Sequence, residues 1–180
     1  MLASSPPHRR ASGSRSPEVA GILLYETAIQ PEWIDFNGHL RDGYYGLIVS
    51  FAIDALMDRV GLDAAYRTQS CCTLYTVEMH LHYLHEVHRS DTVAVSVRIE
   101  AVDHKRIHAT FEMRRVGAPG VVASAEAMLL HVRRITDAVA TAPFPPQVSR
   151  ALARLQATSA ALAAEGPRSR RMELRPPTGS

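Results

Sequence analysis

The sequence of 180 residues is poor in cysteine and contains no long apolar run. Its two cysteines, Cys71 and Cys72, are adjacent, which excludes a disulfide framework and favours a reducing compartment. The longest stretch without a charged residue is 138–149, and it contains three prolines, so no membrane-spanning helix is expected. Neither a phosphate-cradling glycine loop nor a dinucleotide fingerprint is present. We therefore predict a cytoplasmic protein that carries no cofactor and associates with no membrane.

The chain also has little net charge, and the distribution of that charge argues against nucleic acid as a partner. The formal net charge is +2, but 1–20 and 166–180 carry +2 and +3, whereas 21–165 carries −3. Both ends are rich in Ser, Pro and Arg and have almost nothing to bury. We predict disordered tails over 1–20 and 166–180. The part between them is slightly acidic, so we expect no nucleic-acid binding.

One long helix is predicted near the start of the folded part. The segment 21–30 is a β-prone apolar run that Pro31 ends, and it predicts a first strand. A helix is expected over about 43–60, with Asp42 as its N-cap and Gly61 after its end. Its polar residues form one narrow stripe: Ser50, Asp54 and Asp58. A helix that is apolar on nearly all other sides should be buried on nearly all sides.

Four predicted strands follow this helix: three alternate between apolar and polar residues, as in half-buried strands, and the last is apolar on both faces, as in a strand covered twice. They lie over about 75–83, 93–102, 107–114 and 123–132. With the first strand they predict an α+β domain over 21–148, in which a curved antiparallel sheet wraps around the helix. A further helix is expected over 149–165, packed outside. A sheet edge and a flat apolar face favour a homodimer or a homotetramer.

The loop before the long helix combines three side chains with chemical potential: Asp35, Asn37 and His39. The first N–H groups of the helix, near Asp42 and Gly43, lack intrahelical partners and would polarise a thioester carbonyl. Asp35 could then attack the acyl carbon or deprotonate a water molecule that does. A thiolate leaves without a strong general acid. The alternative is a solvated turn whose Asp and Asn side chains bind their own backbone.

The motif WIDFNGHL at 33–40, followed by Tyr45 and by Gly-Leu-Asp at 61–63, resembles the thioesterase branch of the hot-dog fold. Within that branch it resembles the 4-hydroxybenzoyl-CoA thioesterase-like proteins with a D-x-x-G-H loop. Further matches, at 76–80, Tyr83, 86–87, 103–108 and His131, are similar to the betainyl-CoA thioesterases of carnitine breakdown. The resemblance covers about 25–148. Leu40 stands where we expect Met in those relatives.

The resemblance implies hydrolysis of a short or polar acyl-CoA, betainyl-CoA among them, to the free acid and CoA. Coenzyme A would be part of the substrate rather than a cofactor. Asp35 would be the catalytic carboxylate, as nucleophile or general base, and Asn37 and His39 would orient it, the water or the acyl group. Gly38 would let the backbone approach the thioester. The other positions implied to contact the substrate are Asp42, Gly43, Tyr45, Glu78 and His80.

Two pairs of residues outside the loop are weaker candidates. Glu78 and His80 share one face of a strand because they are two residues apart, and they could line the pocket opposite Asp35 of a neighbouring subunit. The alternative is an exposed strand face with cross-strand hydrogen bonds. Lys105 and Arg106 stand beside a tight turn and could hold the CoA phosphates, or they could be solvated hairpin charges.

No metal site is expected, although histidine recurs over 80–88. The sequence HEVH at 85–88 is one residue short of the zincin pattern and is not on a predicted helix. Two other functions stay open. A hot-dog hydratase or dehydratase acting on an acyl thioester could use His39 with Asp35 as its acid–base pair. A non-catalytic acyl-CoA-binding module would need no such pair.

Overall fold

The computed structural model describes residues 21–136 and 138–162. The tails predicted over 1–20 and 166–180 lie outside these residues, as do 163–165 of the predicted last helix. In chain order the elements are β1 (Ile22–Ala28), a 3-10 turn (Pro31–Trp33), α1 (Asp42–Val60), α2 (Ala64–Ser70), β2 (Cys72–Tyr83), β3 (Thr92–Val102), β4 (Arg106–Arg115), β5 (Val121–Ile135), β6 (Ala138–Thr141) and α3 (Pro146–Ala160).

The strands form one antiparallel sheet in the order β1-β3-β4-β5-β2, and β6 pairs with the end of β5. Strands β3, β4 and β5 are consecutive in the chain and follow one another through short turns, as local hairpins do. Phe111 of β4 pairs with Val97 on one side and with Ala125 on the other, so these apolar side chains share one face. The segment that contains α1 connects the two opposite edges, β1 and β2.

Helix α1 is buried on most sides, as its sequence predicts. Ile48, Ala52 and Leu56 are each 0% exposed, and they belong to the same core cluster as the apolar face of the sheet. Gly61 ends the helix with φ +90°, and the Leu62 N–H then donates to the Met57 carbonyl at 2.8 Å. No helix in the described part of the chain is long and apolar enough to cross a membrane.

The structure corrects the predicted start of α1. Asp42 is its first residue, and the N-cap is Arg41, whose side chain makes no capping hydrogen bond. The Asp42 carboxylate instead accepts a hydrogen bond from the neighbouring Gly43 N–H at 2.8 Å. An aspartate in the first turn still suits the positive end of the helix dipole, which is why a sequence pattern does not separate the two placements.

Two short elements were not predicted, and the last helix, expected over 149–165, both starts and ends earlier, at Pro146 and Ala160. None of the α2 residues is buried, and the four residues of β6 are all exposed, so neither shows an apolar periodicity. Helix α3 begins at Pro146, because proline is tolerated in the first turn of a helix. It packs against β3, where the Ile99 N–H donates to Ser159 Oγ at 3.0 Å.

Candidate active site

The candidate site is built on the loop between the 3-10 turn and α1. Gly38 has φ +83°, a left-handed conformation that glycine adopts readily. The chain therefore reverses tightly: the Asp35 N–H donates to the His39 carbonyl at 2.9 Å, and the Gly38 N–H donates to the Asp35 carbonyl at 3.1 Å. A β-bridge between Ile34 and Leu40 closes the base of the loop. Residues 35–39 thus form one closed turn beside the start of α1, which we call the Asp35 loop.

The Asp35 carboxylate is anchored by the backbone of its own loop. Its Oδ1 accepts hydrogen bonds from the Asn37 N–H at 2.8 Å and from the His39 N–H at 3.2 Å. These bonds, with the one from His39 as the largest contribution, hold the pKa of Asp35 below its ordinary value of 3.8. The alternative predicted from the sequence, a turn in which the Asp side chain binds the backbone of its own loop, is therefore present at Asp35. It leaves the Asp35 carboxylate ionised at neutral pH and partly exposed.

The imidazole of His39 points to Glu86, a residue of the matched segment 86–87 that the sequence analysis did not place in the site. His39 Nε2 lies 3.2 Å from Glu86 Oε2, and the His39 ring meets the His88 ring edge-on at a centroid distance of 4.8 Å. His39 therefore contacts Asp35 through its backbone N–H, whereas its side chain binds Glu86. The sequence HEVH at 85–88 contains Glu86, but no sequence pattern indicates its contact with His39. That contact arises only from tertiary structure, because the two residues are far apart in the chain.

Backbone hydrogen bonds join the Asp35 loop to the segment between β2 and β3. The Leu40 N–H donates to the Val87 carbonyl at 2.7 Å, and His39 and His88 form a β-bridge. Val87 itself is 0% exposed. The position of the Asp35 loop is therefore set by 85–88 as well as by the helix that follows it.

The start of α1 offers an open surface next to this loop. Apart from the glycine itself, its two chain neighbours and the backbone of its own helix, no described atom lies within 4 Å of where a Cβ would stand at Gly38 or Gly43. The Gly43 N–H, predicted to polarise the substrate carbonyl, donates to the Asp42 carboxylate in this structure. Because Asp42 is exposed, a carbonyl oxygen at Gly43 would replace one solvent-facing hydrogen bond.

Tyr45, a predicted substrate contact, lies in the hydrophobic core with 4% of its surface exposed. Its ring meets the ring of Tyr83 edge-on at 5.3 Å, and its hydroxyl donates to the His85 carbonyl at 3.4 Å. The Tyr83 hydroxyl donates to the Asp42 carbonyl at 3.4 Å. Burial raises the pKa of both hydroxyls. The two tyrosines thus fasten the start of α1 to the end of β2.

Glu78 and His80 do share a face of β2, as their spacing predicts. His80 Nε2 lies 3.0 Å from Glu78 Oε1, and both side chains are about half exposed. Within the described residues, 21–136 and 138–162, no hydrogen bond or ion pair connects Glu78 or His80 to the Asp35 loop of the same chain. Any role opposite Asp35 therefore depends on a second copy.

Lys105 lies in the β3–β4 turn and Arg106 is the first residue of β4, and Asp103 organises the backbone between them and β3. The Arg106 guanidinium donates to Asp103 Oδ2 through Nε at 2.7 Å, and the Lys105 N–H donates to Asp103 Oδ1 at 2.9 Å. Desolvation of Asp103 works to raise its pKa, but the bonds from Lys105 and Arg106 outweigh it and lower that pKa. The charge of Arg106 is thus partly neutralised within the turn.

Comparison with known families identifies what kind of protein carries this site. A model of the thioesterase-like superfamily matches residues 29–152. The chain belongs to this superfamily. It is 43% identical over 140 residues to the betainyl-CoA thioesterase of Pseudomonas aeruginosa, a match that covers 78% of this chain and 85% of that protein. It is 36% identical to the L-carnitine dehydrogenase/betainyl-CoA thioesterase of Agrobacterium fabrum, over 76% of this chain and 27% of that longer protein.

Solved structures of thioesterase-like proteins have the same fold. A candidate thioesterase from Pseudomonas putida is 38% identical, with a TM-score of 0.73 over 91% of this chain and all of that one. A hypothetical Staphylococcus aureus protein solved with CoA has a TM-score of 0.74 at 23% identity, covering 90% of this chain and 100% of that one. At this identity the similarity extends to the fold only. The predicted hot-dog fold and enzyme class, a thioester hydrolase, are confirmed. The roles of individual site residues stay predictions.

Proposed function

We propose that this thioesterase hydrolyses a short or polar acyl-CoA, with betainyl-CoA as the first candidate, to the free acid and CoA. The observation that carries the proposal is the ionised, partly exposed Asp35 carboxylate beside the open start of α1. The 43% identity to a betainyl-CoA thioesterase supports the choice of acyl group. Coenzyme A enters as part of the substrate, and the proposed reaction needs no cofactor.

The Asp35 carboxylate supports two routes that share one geometry. As a nucleophile, it adds to the acyl carbon, the C–S bond breaks and CoA thiolate leaves; water then hydrolyses the acyl-aspartyl anhydride and restores Asp35. As a general base, it takes a proton from a water molecule that adds to the same carbon; the tetrahedral intermediate then expels the thiolate, and Asp35 passes the proton to it. In both routes the Gly43 N–H would stabilise the oxyanion at the start of α1. Asn37 and His39 hold Asp35 through their backbone N–H groups.

The nucleotide part of CoA is proposed to lie against the β3–β4 turn. The folded part of the chain has a net charge of −3 over 21–165, so attraction of the CoA phosphates depends on a few local cations. Because Asp103 partly neutralises Arg106, Lys105 is the stronger candidate of the two predicted residues.

A panel of acyl-CoA thioesters tests the proposal. Betainyl-CoA should release free thiol with a kcat/KM at least about tenfold above that of 3,3-dimethylbutyryl-CoA, because the two acyl groups match in shape and only the first carries a cation that aromatic or acidic groups can bind. Release is followed with a thiol reagent. Equal rates for this pair would contradict betainyl-CoA as the substrate. Absence of thiol release from every thioester would contradict hydrolysis and favour a hydratase or a binding module.

We also propose that the enzyme is a homodimer or homotetramer in which β2 pairs with β2 of a second copy. Among the described strands, β2 pairs with β5 alone, so its other edge is unpaired. Tyr75 and Val77 of this strand are 40% and 54% exposed. A twelve-residue edge of this kind is rarely left uncovered. Phe36, next to Asp35, is 95% exposed, so the Asp35 loop would also gain from cover by a second subunit.

Val77→Lys is expected to convert the assembly to monomers, because a charge at an unpaired strand edge opposes edge pairing. Val139→Lys is the matched control: Val139 is 51% exposed, close to the 54% of Val77, but it lies on β6. Sedimentation velocity should give the wild type and the control at least twice the 19.8 kDa mass of the chain. An unchanged mass for Val77→Lys would place the interface elsewhere.

A further inference from the structure

Beside the Asp35 loop, three metal-binding side chains converge from two separate segments. His39 belongs to the loop, and Glu86 and His88 belong to the segment between β2 and β3. One ligand atom from each of the three lies within 4.8 Å of the other two. The sequence spacing did not predict this metal site. The zincin pattern places its histidines on one helix, whereas the three residues here come from two segments that are distant in the chain.

The spacing of the three ligand atoms suits a small divalent ion. Zinc binds imidazole nitrogen and carboxylate oxygen at about 2.0–2.1 Å in a tetrahedral arrangement, which separates neighbouring ligand atoms by roughly 3.3 Å. His39 Nε2 and Glu86 Oε2 are already 3.2 Å apart. Glu86 and His88 are exposed, so rotation of their side chains can close the remaining gap without moving the core.

The backbone under the three ligands is fixed by hydrogen bonds. His39 and His88 form a β-bridge, and the Leu40 N–H donates to the Val87 carbonyl at 2.7 Å. The His88 N–H donates to Asp91 Oδ2 at 2.8 Å, which holds the far side of the segment. A preformed backbone of this kind reduces the entropy that a metal site would otherwise lose when the ion binds.

We propose that His39, Glu86 and His88 bind one divalent transition-metal ion of the Zn²⁺ class, which takes no part in the hydrolytic reaction. Two imidazoles and one carboxylate favour Zn²⁺, Co²⁺ or Ni²⁺ over Mg²⁺ or Ca²⁺, and three protein ligands leave a position for water. The bound ion would also inhibit turnover, because it takes up the His39 imidazole, which the resemblance implies to orient Asp35, the water or the acyl group. This second part rests on the proposed function, whereas the binding does not.

The binding is tested on untagged, full-length protein that has been treated with a chelator and titrated with Zn²⁺ by calorimetry, without substrate. We expect one Zn²⁺ per chain. Glu86→Gln and His88→Ala should each weaken binding at least about tenfold, since loss of a second-shell partner alone costs 10–100-fold. His85→Ala is the matched control, because His85 is an exposed histidine of the same segment that contributes only backbone atoms to the described contacts. Its N–H donates to the Val122 carbonyl, and its carbonyl accepts from the Tyr45 hydroxyl.

Absence of stoichiometric Zn²⁺ binding, or an equal loss in His85→Ala and His88→Ala, would overturn the site. In the activity arm, Zn²⁺ should slow thiol release by the wild type, and His88→Ala should keep the rate that it shows without metal. Zinc binding without any inhibition would overturn the inhibitory role and leave the site in place. A protein that binds Zn²⁺ but hydrolyses no acyl-CoA would contradict the proposed function alone.

Discussion

Replacement of Asp35 by Asn is expected to lower kcat by about 10²–10⁴-fold, the range that a positioned acid–base group contributes. The amide has the shape of the carboxylate, and its Oδ1 still accepts the hydrogen bonds that the Asn37 and His39 N–H groups donate at 2.8 and 3.2 Å. The loop should therefore keep its conformation while the negative charge is lost. Steady-state thiol release measures the effect, and the far-UV circular dichroism spectrum should be unchanged.

Asp63→Asn is the matched control for this change. Asp63 is also an exposed loop carboxylate that accepts a backbone hydrogen bond, from the Tyr66 N–H at 2.8 Å. It lies at the other end of α1, whose 19 residues span about 28 Å. Wild-type turnover is expected for this variant. If Asp35→Asn also kept the wild-type kcat, neither the nucleophilic nor the general-base route would hold.

Leu56→Ala is expected to lower the free energy of unfolding by about 2–5 kcal/mol, because it leaves a cavity beneath a fully buried position. Leu56 is 0% exposed on α1 and belongs to the core cluster around which the sheet is arranged. Urea unfolding at a fixed protein concentration measures the loss. A domain of this size has only about 5–15 kcal/mol in total, so the variant should be clearly less stable.

Leu47→Ala, on the same helix, distinguishes the effect of burial on the free energy of unfolding from the effect of helix propensity. Leu47 is 38% exposed, so the identical substitution removes far less buried surface. We expect Leu47→Ala to lower the free energy of unfolding by less than about 1 kcal/mol. Equal losses at the two positions would mean that α1 is not enclosed by the sheet on the side that carries Leu56.

The core was predictable because its pattern repeats over long segments. The single polar stripe of α1, the alternation in β2 to β4 and the apolar run in β5 each extend over eight or more residues, and the structure confirms all five elements. Helix α2 and strand β6 were missed because seven and four residues without buried side chains leave no periodicity to detect. They form where neighbouring elements offer hydrogen-bond partners, as when β6 pairs with the end of β5.

The candidate site was predictable only where its residues are close in sequence. The Asp35 loop is contiguous, and a glycine between an Asn and a His in a D-x-x-G-H motif indicates its tight turn, which Gly38 makes with φ +83°. Glu86, which binds the His39 imidazole at 3.2 Å, was not predicted. Its position depends on how β2 ends and on the backbone bond from Leu40 to Val87. Such contacts follow from the register of the sheet rather than from local pattern.

The hydrogen bond between Ile99 and Ser159 ties the last turns of α3 to the sheet. The β3–β4 register shifts between Ile99 and Ala101, and the buried Ile99 N–H finds its partner in the Ser159 hydroxyl, which is itself 1% exposed. The superfamily match ends at residue 152, before this serine. A protein shortened to that boundary would lose this hydrogen bond and open the Ile99 N–H to solvent, at a cost of about 0.5–1.5 kcal/mol. The boundary of the superfamily match therefore falls about two turns of α3 short of this contact with the sheet.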